Sequence, residues 1–299
     1  MLAYPISYAH RSFAFNQHLD ASGAIVAANA QNTVVVDRRR VEPTFRDGRD
    51  VLHLARGGTL GRAHKGMTYL SLQGRILAPN NAQAATLADR EREMMAAFDP
   101  DLCYFDSPST DGAYAFDFSS PTADTTTYPS GLIPLRWYAR PSGFPTMDEV
   151  QAEGPVRRWS VGLVAADPRL YEQTEQTLVL TPASATGNVV NRGTVPAPLK
   201  ATIVMAGAGS STFTLTRGGV SFILDLSSAT AGQTVVVVME TCGPYGRGRY
   251  ITKAGVESFS LKTSGPATWL DVPSGTTSFV MTNHTNVTSC TLNWRSARA

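Results

Sequence analysis

From Thr177 to Trp294, turn-forming residues break the chain every ~8–12 positions, and no helix-length apolar period runs between them. Only short strands fit between turns so closely spaced. Thr177–Leu180 alternates, and Leu199–Met205 follows the turn Val195-Pro196-Ala197-Pro198. Phe213–Thr216 and Val220–Leu224 flank Arg217-Gly218-Gly219, a hairpin connection in which glycine accepts positive φ. Thr234–Met239, Trp269–Val272, Ser278–Met281 and Ser289–Trp294 complete a β-sandwich of about 110–120 residues, predicted to span 180–299.

The first 179 residues read differently. Gly23–Ala27 and Asn32–Val36 are β-branched segments between turn residues. Arg38-Arg39-Arg40 after the second is a solvated strand end or a contact for phosphate or an acidic partner. One helix is predicted over about 81–98: Asn80 and Asn81 start it, Asp99-Pro100 stops it, and Ala84, Leu87, Met94, Met95 and Phe98 form its apolar stripe. Glu91 lies within that stripe, so it either reaches water at the edge or pairs with an arginine. Strands are predicted at Ala113–Phe118, Leu132–Ala139 and Val156–Ala165, with irregular stretches over 106–131 and 141–155. The fold class is therefore mainly β: an N-terminal β domain with one α-helix, 1–179, and a C-terminal β-sandwich, 180–299.

Composition supports two globular domains. At 42% apolar and 17% charged residues the chain can bury a core and is too apolar for disorder. Residues 180–299 hold nine Lys/Arg against four Asp/Glu, and the first 179 hold seventeen against twenty. Neither half is the dense basic stripe of a nucleic-acid binder. Cys103, Cys242 and Cys290 are far apart, with no CxxC pair, and are expected to be reduced. Met1–Asn16 lacks the apolar run of ~7–15 residues of a signal peptide. The longest apolar stretch, Val235–Met239, is far below the ~20 residues of a membrane span. Folding in the cytoplasm without a membrane segment is expected.

Catalytic patterns are missing. The nearest approach to a nucleophile elbow, Gly219-Val220-Ser221-Phe222-Ile223, lacks the last glycine and lies on a predicted strand. Gly57–Gly66 lacks the phosphate-loop spacing, because His64 precedes Lys65 and Gly66 follows it. His10, His18, His53, His64 and His284 are dispersed, and Asp225, Glu240, Glu257 and Asp271 are too sparse for a paired-carboxylate hydrolase. No catalytic, metal or cofactor residue is predicted, and the chain is read as no enzyme. Asn283-His284-Thr285 and Asn286-Val287-Thr288 match the glycosylation triplet but read as a polar turn. Tyr245, Tyr250 and Trp269 are either a platform for sugar stacking or packing residues.

The segment Trp159-Ser160-Val161-Gly162-Leu163-Val164-Ala165-Ala166-Asp167-Pro168-Arg169-Leu170-Tyr171 resembles the aromatic–strand–Ala-Asp-Pro–Tyr junction of siphophage distal tail proteins. Physically, a buried strand ends on Asp167, whose side chain can bond the turn that Pro168 fixes. Gly187-Asn188, then Asn191-Arg192-Gly193 and the strand to Gly207, are similar to that family's opening of its C-terminal sandwich. Ser274-Gly275-Thr276-Thr277 and the ending Leu292-Asn293-Trp294-Arg295 match its close. Upstream, Gly74–Pro79 followed by the helix resembles its strand-to-helix step, with a strand expected at Tyr104-Phe105. The resemblance covers about 70–299 and is strongest over 156–226. The stretches 106–131 and 141–155 are longer than a minimal member needs.

The resemblance implies a structural virion protein: a homohexameric distal tail ring in the tail tip or baseplate of a long-tailed bacteriophage or phage-like particle. The N-terminal domain would form the ring, with the galectin-like or carbohydrate-binding-module-like sandwich outside it. Its partners would be copies of itself, the tail tube protein, the tail tip or hub protein and the tape-measure protein, with DNA passing only in transit. Trp159, Asp167, Pro168, Tyr171, Gly187, Asn188 and Trp294 would be the structural motif residues. DNA in transit would stall on a basic lining, so Arg38, Arg39 and Arg40 are not expected to form an uncompensated belt facing the channel. The alternative reading is a carbohydrate-binding adhesion module for host attachment, with Tyr245, Tyr250 and Trp269 on a host-surface glycan.

Overall fold

The structure, a computed structural model, describes residues 6–16, 34–46, 64–77, 84–107, 112–149, 156–239, 244–245, 249–265 and 268–298. The expected strand Gly23–Ala27, Cys242, most of Gly57–Gly66 and the side chains of Arg38, Arg39 and Arg40 lie outside them. The chain divides into two compact units, Met1–Pro168 and Arg169–Ala299.

Unit 1 contains β1 (Ile6–Tyr8), β2 (Phe13–Phe15), β3 (Val34–Arg46), β4 (His64–Leu77), α1 (Ala84–Ala97), α2 (Pro100–Asp106), β5 (Tyr114–Pro121), β6 (Leu132–Pro141), β7 (Thr146–Glu149) and β8 (Val156–Ala165). The strands pair in the order β2-β1-β5-β6-β8-β4-β3, with β7 also on β8, and every pairing is antiparallel. Alternation sets the core: Phe116, Phe118, Ile133, Leu135, Trp137 and Ala139 turn inward from β5 and β6. On the other face of that pair, Asp117 and Arg136 stand opposite in register and join through two bonds of 2.6 and 2.7 Å. Pro43 lies on β3 at the end of the path, where a strand can lack an N–H, and the register shifts beside it.

The helical region meets some expectations and corrects others. Leu87, Met94 and Phe98 are buried as the stripe required, Ala97 is buried with them, Met95 is only half-buried, and the side chain of Ala84 lies outside the described residues. Of the two readings of Glu91, the arginine pair is the one seen: its Oε1 accepts from Arg157 Nε of β8 at 2.9 Å. Asp99-Pro100 both stops α1 and starts a second helix. The Asp99 carboxylate accepts from the Asp101 and Leu102 amides, and Pro100 fills the first-turn position where a missing N–H costs nothing. Tyr104 and Phe105 are thus helical, not a strand. The stretch 141–155, expected to be irregular, holds β7, whose Thr-Met-Asp-Glu carries no apolar alternation for a pattern to detect.

Unit 2 contains β9 (Leu170–Glu172), β10 (Gln176–Leu180), β11 (Thr186–Asn191), β12 (Ala197–Met205), β13 (Phe213–Arg217), β14 (Val220–Leu224), β15 (Thr234–Val238), β16 (Tyr250–Lys253), β17 (Val256–Glu257), β18 (Asp271–Val272), β19 (Gly275–Thr282), β20 (Val287–Trp294) and β21 (Ala297–Arg298). One sheet runs β10-β20-β12-β15-β16-β17, with β18 on β12, and the other runs β11-β19-β13-β14. Leu199, Ala201, Ile203, Val235, Val237, Cys290 and Leu292 from the first sheet, and Val189, Phe213, Leu215, Phe222, Phe279 and Met281 from the second, are all buried. Their alternation with exposed positions is that of two sheets sharing one core. Gly218 and Gly219 close the β13–β14 hairpin with φ of 52° and 82°, a two-residue turn that needs both positive. Asn283 and Asn286, at φ 52° and 54°, turn β19 into β20. The strand expected over Trp269–Val272 shrinks to β18.

Candidate functional site

The residues of the expected junction are mostly buried. Trp159 on β8 is in register with Gly74 and Met147, and its ring centre lies 5.4 Å from that of Phe15. Asp167 follows the strand at 3% exposure, and the division between units falls directly after Pro168. In unit 2, Tyr171 is fully buried on β9, with the Arg169 guanidinium 5.8 Å from its ring. Gly187 lies where β11 approaches β10: a Cβ there would be 2.8 Å from a Leu178 methyl. Asn188 is exposed on β11, opposite Ser278. Trp294 is buried on β20, and its Nε1 donates to the Val190 carbonyl of the facing sheet at 3.0 Å.

Around these residues, unit 2 closes on itself through a polar centre. Asn191 is 1% exposed, and its amide makes four bonds. Nδ2 donates to the carbonyls of Val195 (2.8 Å) and Val272 (2.9 Å), and Oδ1 accepts from the amides of Gly193 (2.9 Å) and Ala297 (3.2 Å). Those bonds bring β11, the turn after it, β18 and the last strand to one point, using nearly all an amide can offer. At Gly193 a Cβ would fall 1.8 Å from the Ala297 carbonyl oxygen, so only glycine fits. The last strand pairs Ala297 with Tyr171 and Arg298 with Leu170, and Arg298 reaches Glu172 at 3.2 Å. Asn191 and Gly193 were visible in the sequence through the resemblance alone. Their role as a lock was not, because their partners lie about a hundred residues along the chain.

Unit 1 has a second buried centre, unseen in the sequence, in which a cysteine, a histidine and an aspartate meet. Cys103 Sγ is 3.2 Å from His10 Nδ1, and His10 Nε2 is 3.1 Å from Asp106 Oδ2. Arg11 stands 3.5 Å from the same carboxylate. This is not a nucleophile with its base. Nδ1 lies 2.7 Å from the Ala97 carbonyl, which can only accept, so that nitrogen carries a proton and cannot take one from the thiol. Burial pushes the Cys103 thiol up to about 11, and the charges of Asp99 and Asp106 add to this while the Tyr8 hydroxyl works against it. The thiol is fully buried. Reactive thiols are depressed and reachable; this one is neither. The cluster instead ties the segment after β1 to the end of α1 and to α2. An adjacent pocket of about 190 Å³, lined by Arg11, Ser12, Phe13, Ala14, Arg90, Glu93 and Ala96, has its Arg90 bonded to Glu93 at 2.6 Å. It is below the ~300 Å³ of ordinary ligand clefts.

The three aromatics considered for sugar stacking all lie in unit 2, and all are half-buried. Tyr245 has Lys200 Nζ 5.9 Å from its ring centre. Tyr250 is in register with Val238, and burial raises its hydroxyl pKa. Trp269 leans on Phe222 at 5.4 Å, with Arg249 and Lys262 each 5.3 Å over its ring. A neutral pyranose stacking on that indole would have to displace a cation. Among the described residues no group of three or more His, Cys, Asp or Glu is placed to hold a metal ion, and no helix is long and apolar enough to cross a membrane.

These features define a class: a mainly β protein with a helical pair in its first unit and a sandwich, closed by its own last strand, as its second. Among solved structures, the chain is similar over 98% of its length, and 98% of the other chain, to the SPP1 Dit (gp 19.1) protein, described as a paradigm of the hub adsorption apparatus in phages infecting Gram-positive bacteria (TM-score 0.53, 13% identity). It is also similar to a chain of the phage P2 baseplate in its activated, calcium-containing conformation (TM-score 0.42, 6% identity, 91% and 92% coverage). No family model and no curated protein matches the sequence. The fold is thus Dit-like, as the sequence resemblance implied.

Proposed function

We propose that this chain is a structural, non-enzymatic protein of a long-tailed phage or phage-like particle, forming the distal tail ring between the tail tube and the tip or hub. The observation that carries this reading is the end-to-end likeness to SPP1 Dit, which extends through both units. Unit 1 would build a homohexameric ring, with the tube, hub and tape-measure proteins as partners. Trp159, Asp167, Pro168, Tyr171, Gly187, Asn188 and Trp294 act as framework residues. Assembly would occur in the host cytoplasm, and the product would be the virion tail tip. The buried Cys103–His10–Asp106 centre supports a structural role, since it spends its hydrogen-bonding capacity within the fold.

A ring of this kind needs heterologous interfaces, each burying well over ~1,000 Å². Mixing the purified chain with its tail-tube protein should give closed rings seated on tube ends by electron microscopy. Tubes that end without such rings at saturating concentrations of the chain would refute the assignment.

A further inference from the structure

Among the described residues of unit 1, the large apolar side chains left exposed are four aromatics, Tyr69, Tyr104, Phe105 and Phe144, and they fall into two groups. Tyr104 and Phe105 are neighbours on α2, and Phe105 is 81% exposed. The helix beneath them is pinned: Cys103 Sγ lies 3.2 Å from His10 Nδ1, and Asp106 meets His10 Nε2 at 3.1 Å. Rings left in water on a fixed helix mark a contact surface, and little ordering remains to be done when a partner covers them.

Tyr69 and Phe144 border the outer face of the sheet. Tyr69 of β4 stands opposite Val164 of β8, and Val164 opposite Arg140 of β6. Their strand neighbours Leu70, Leu163, Ala165 and Ala139 are buried, so this row turns away from the core. Phe144, 55% exposed, lies between Ser142, whose amide donates to the Gly162 carbonyl, and Thr146, whose hydroxyl is 2.6 Å from that of Ser160. It therefore flanks the same stretch of β8. About 20 Å along that strand from Val164, Arg158 has Arg75 opposite it on β4 and Asp148 opposite it on β7. Two like charges in register are unfavourable until an anion reaches them.

Charge separates the two groups. From Glu93 to Leu135 the chain has no Lys, Arg or His. Within that stretch α2 and its cap bring Asp99, Asp101 and Asp106, with Arg11 beside the last. The sheet face brings Arg75, Arg140 and Arg158 against Asp148. One surface is acidic and aromatic, the other basic and aromatic, and Tyr, Phe and Arg are the residues that interface centres favour. The two cannot meet within one chain, because α2 packs through Cys103 on the core residues Tyr8 and His10 while the arginine row points away from the core. Complementary surfaces on different sides of one unit make a head-to-tail contact between copies, the kind that closes a ring.

We propose that Tyr104 and Phe105 of one copy dock on the outer face of β4 and β8 of the next, against Tyr69, Val164 and Phe144, with the α2 carboxylates meeting Arg140 and Arg158. This contact rests on the ring reading and names the surfaces that would close the ring.

Native mass spectrometry of the full chain, alone and with tail-tube protein, tests it with two variants. The helix variant carries Tyr104→Ser and Phe105→Ser, and the face variant carries Phe144→Ser and Arg140→Glu. Each should need at least about tenfold more protein than the wild type to form rings. An equal mixture of the two should give pairs of about 64 kDa, twice the 32.0 kDa chain, that neither variant gives alone, since each supplies the surface the other lacks. Both should keep the wild-type near-ultraviolet spectrum; where one does not, Asp101→Arg replaces the helix variant or Arg140→Glu alone the face variant. Rings formed by either variant at wild-type concentrations, or a mixture without pairs, would overturn the contact. So would variant rings that form normally and fail to seat on tubes, which would give the surface to the tube protein. A wild type that forms no ring under either condition would instead sink the ring reading, and this contact with it.

Discussion

The two buried polar centres meet the same demand with different chemistry. In unit 1, His10 bonds a carbonyl and a carboxylate, beside a thiol and an arginine, and the Asp106 side chain is 37% exposed. In unit 2, Asn191 places a neutral amide among four backbone groups, away from water. A charged centre can be relieved by solvent when a partner is lost, whereas a neutral one surrounded by backbone cannot. The lock in unit 2 should therefore tolerate change less well than the pin in unit 1.

The largest effect should follow Gly193→Ala, since the new methyl would occupy the Ala297 carbonyl. A loss of about 4 kcal/mol or more, or no soluble protein, is expected in urea unfolding. A change under 1 kcal/mol, on the order of an ordinary surface substitution, would show that the closing strand is not held as described. Asn191→Ala should come next, at about 3–5 kcal/mol, because it strands two carbonyls and two amides. Asn191→Asp should not rescue it, since a carboxylate would face the Val195 and Val272 oxygens. His10→Ala should cost less, about 2 kcal/mol, with its carboxylate partner free to hydrate. If His10→Ala proves the more damaging, the comparison is wrong.

The thiols sharpen it further. Burial raises Cys103 to about 11 and Cys290 to about 12. The unfolded chain ionises its thiols near ~8.5, so stability is full below that pH and falls as pH rises toward the folded values. On a Cys242→Ser background, a thiol reagent at pH 8 should label both residues only as fast as the protein opens. Rapid labelling of Cys103 in the folded state would mean that the unit 1 centre is accessible after all. Smallest of all, Glu91→Gln should cost no more than about 1 kcal/mol, because both partners of the Arg157 pair remain partly exposed.

Local rules were legible in the sequence and long-range closures were not. The Gly218-Gly219 hairpin, the Asn283–Asn286 turn and the stripe of α1 follow from neighbours a few positions apart. Asp99-Pro100 was read as a stop although Asp before Pro is equally a helix start, so α2 was missed. Nothing local announces that His10 meets Asp106, that Ala297 returns to Tyr171, or that Arg249 and Lys262 share Trp269. Those meetings are set by sheet topology, which one sequence pattern does not encode. The motif residues Trp159, Tyr171 and Trp294 were noticed through a resemblance; burial and register supply the physical reason for each.

The central claim is that unit 1 assembles into a ring. Native mass spectrometry of the purified full chain tests it directly. Six copies of the 32.0 kDa chain should appear as one species of about 190 kDa, alone or once tail-tube protein is added. A chain that stays at monomer mass under both conditions, across the concentration range, would contradict it.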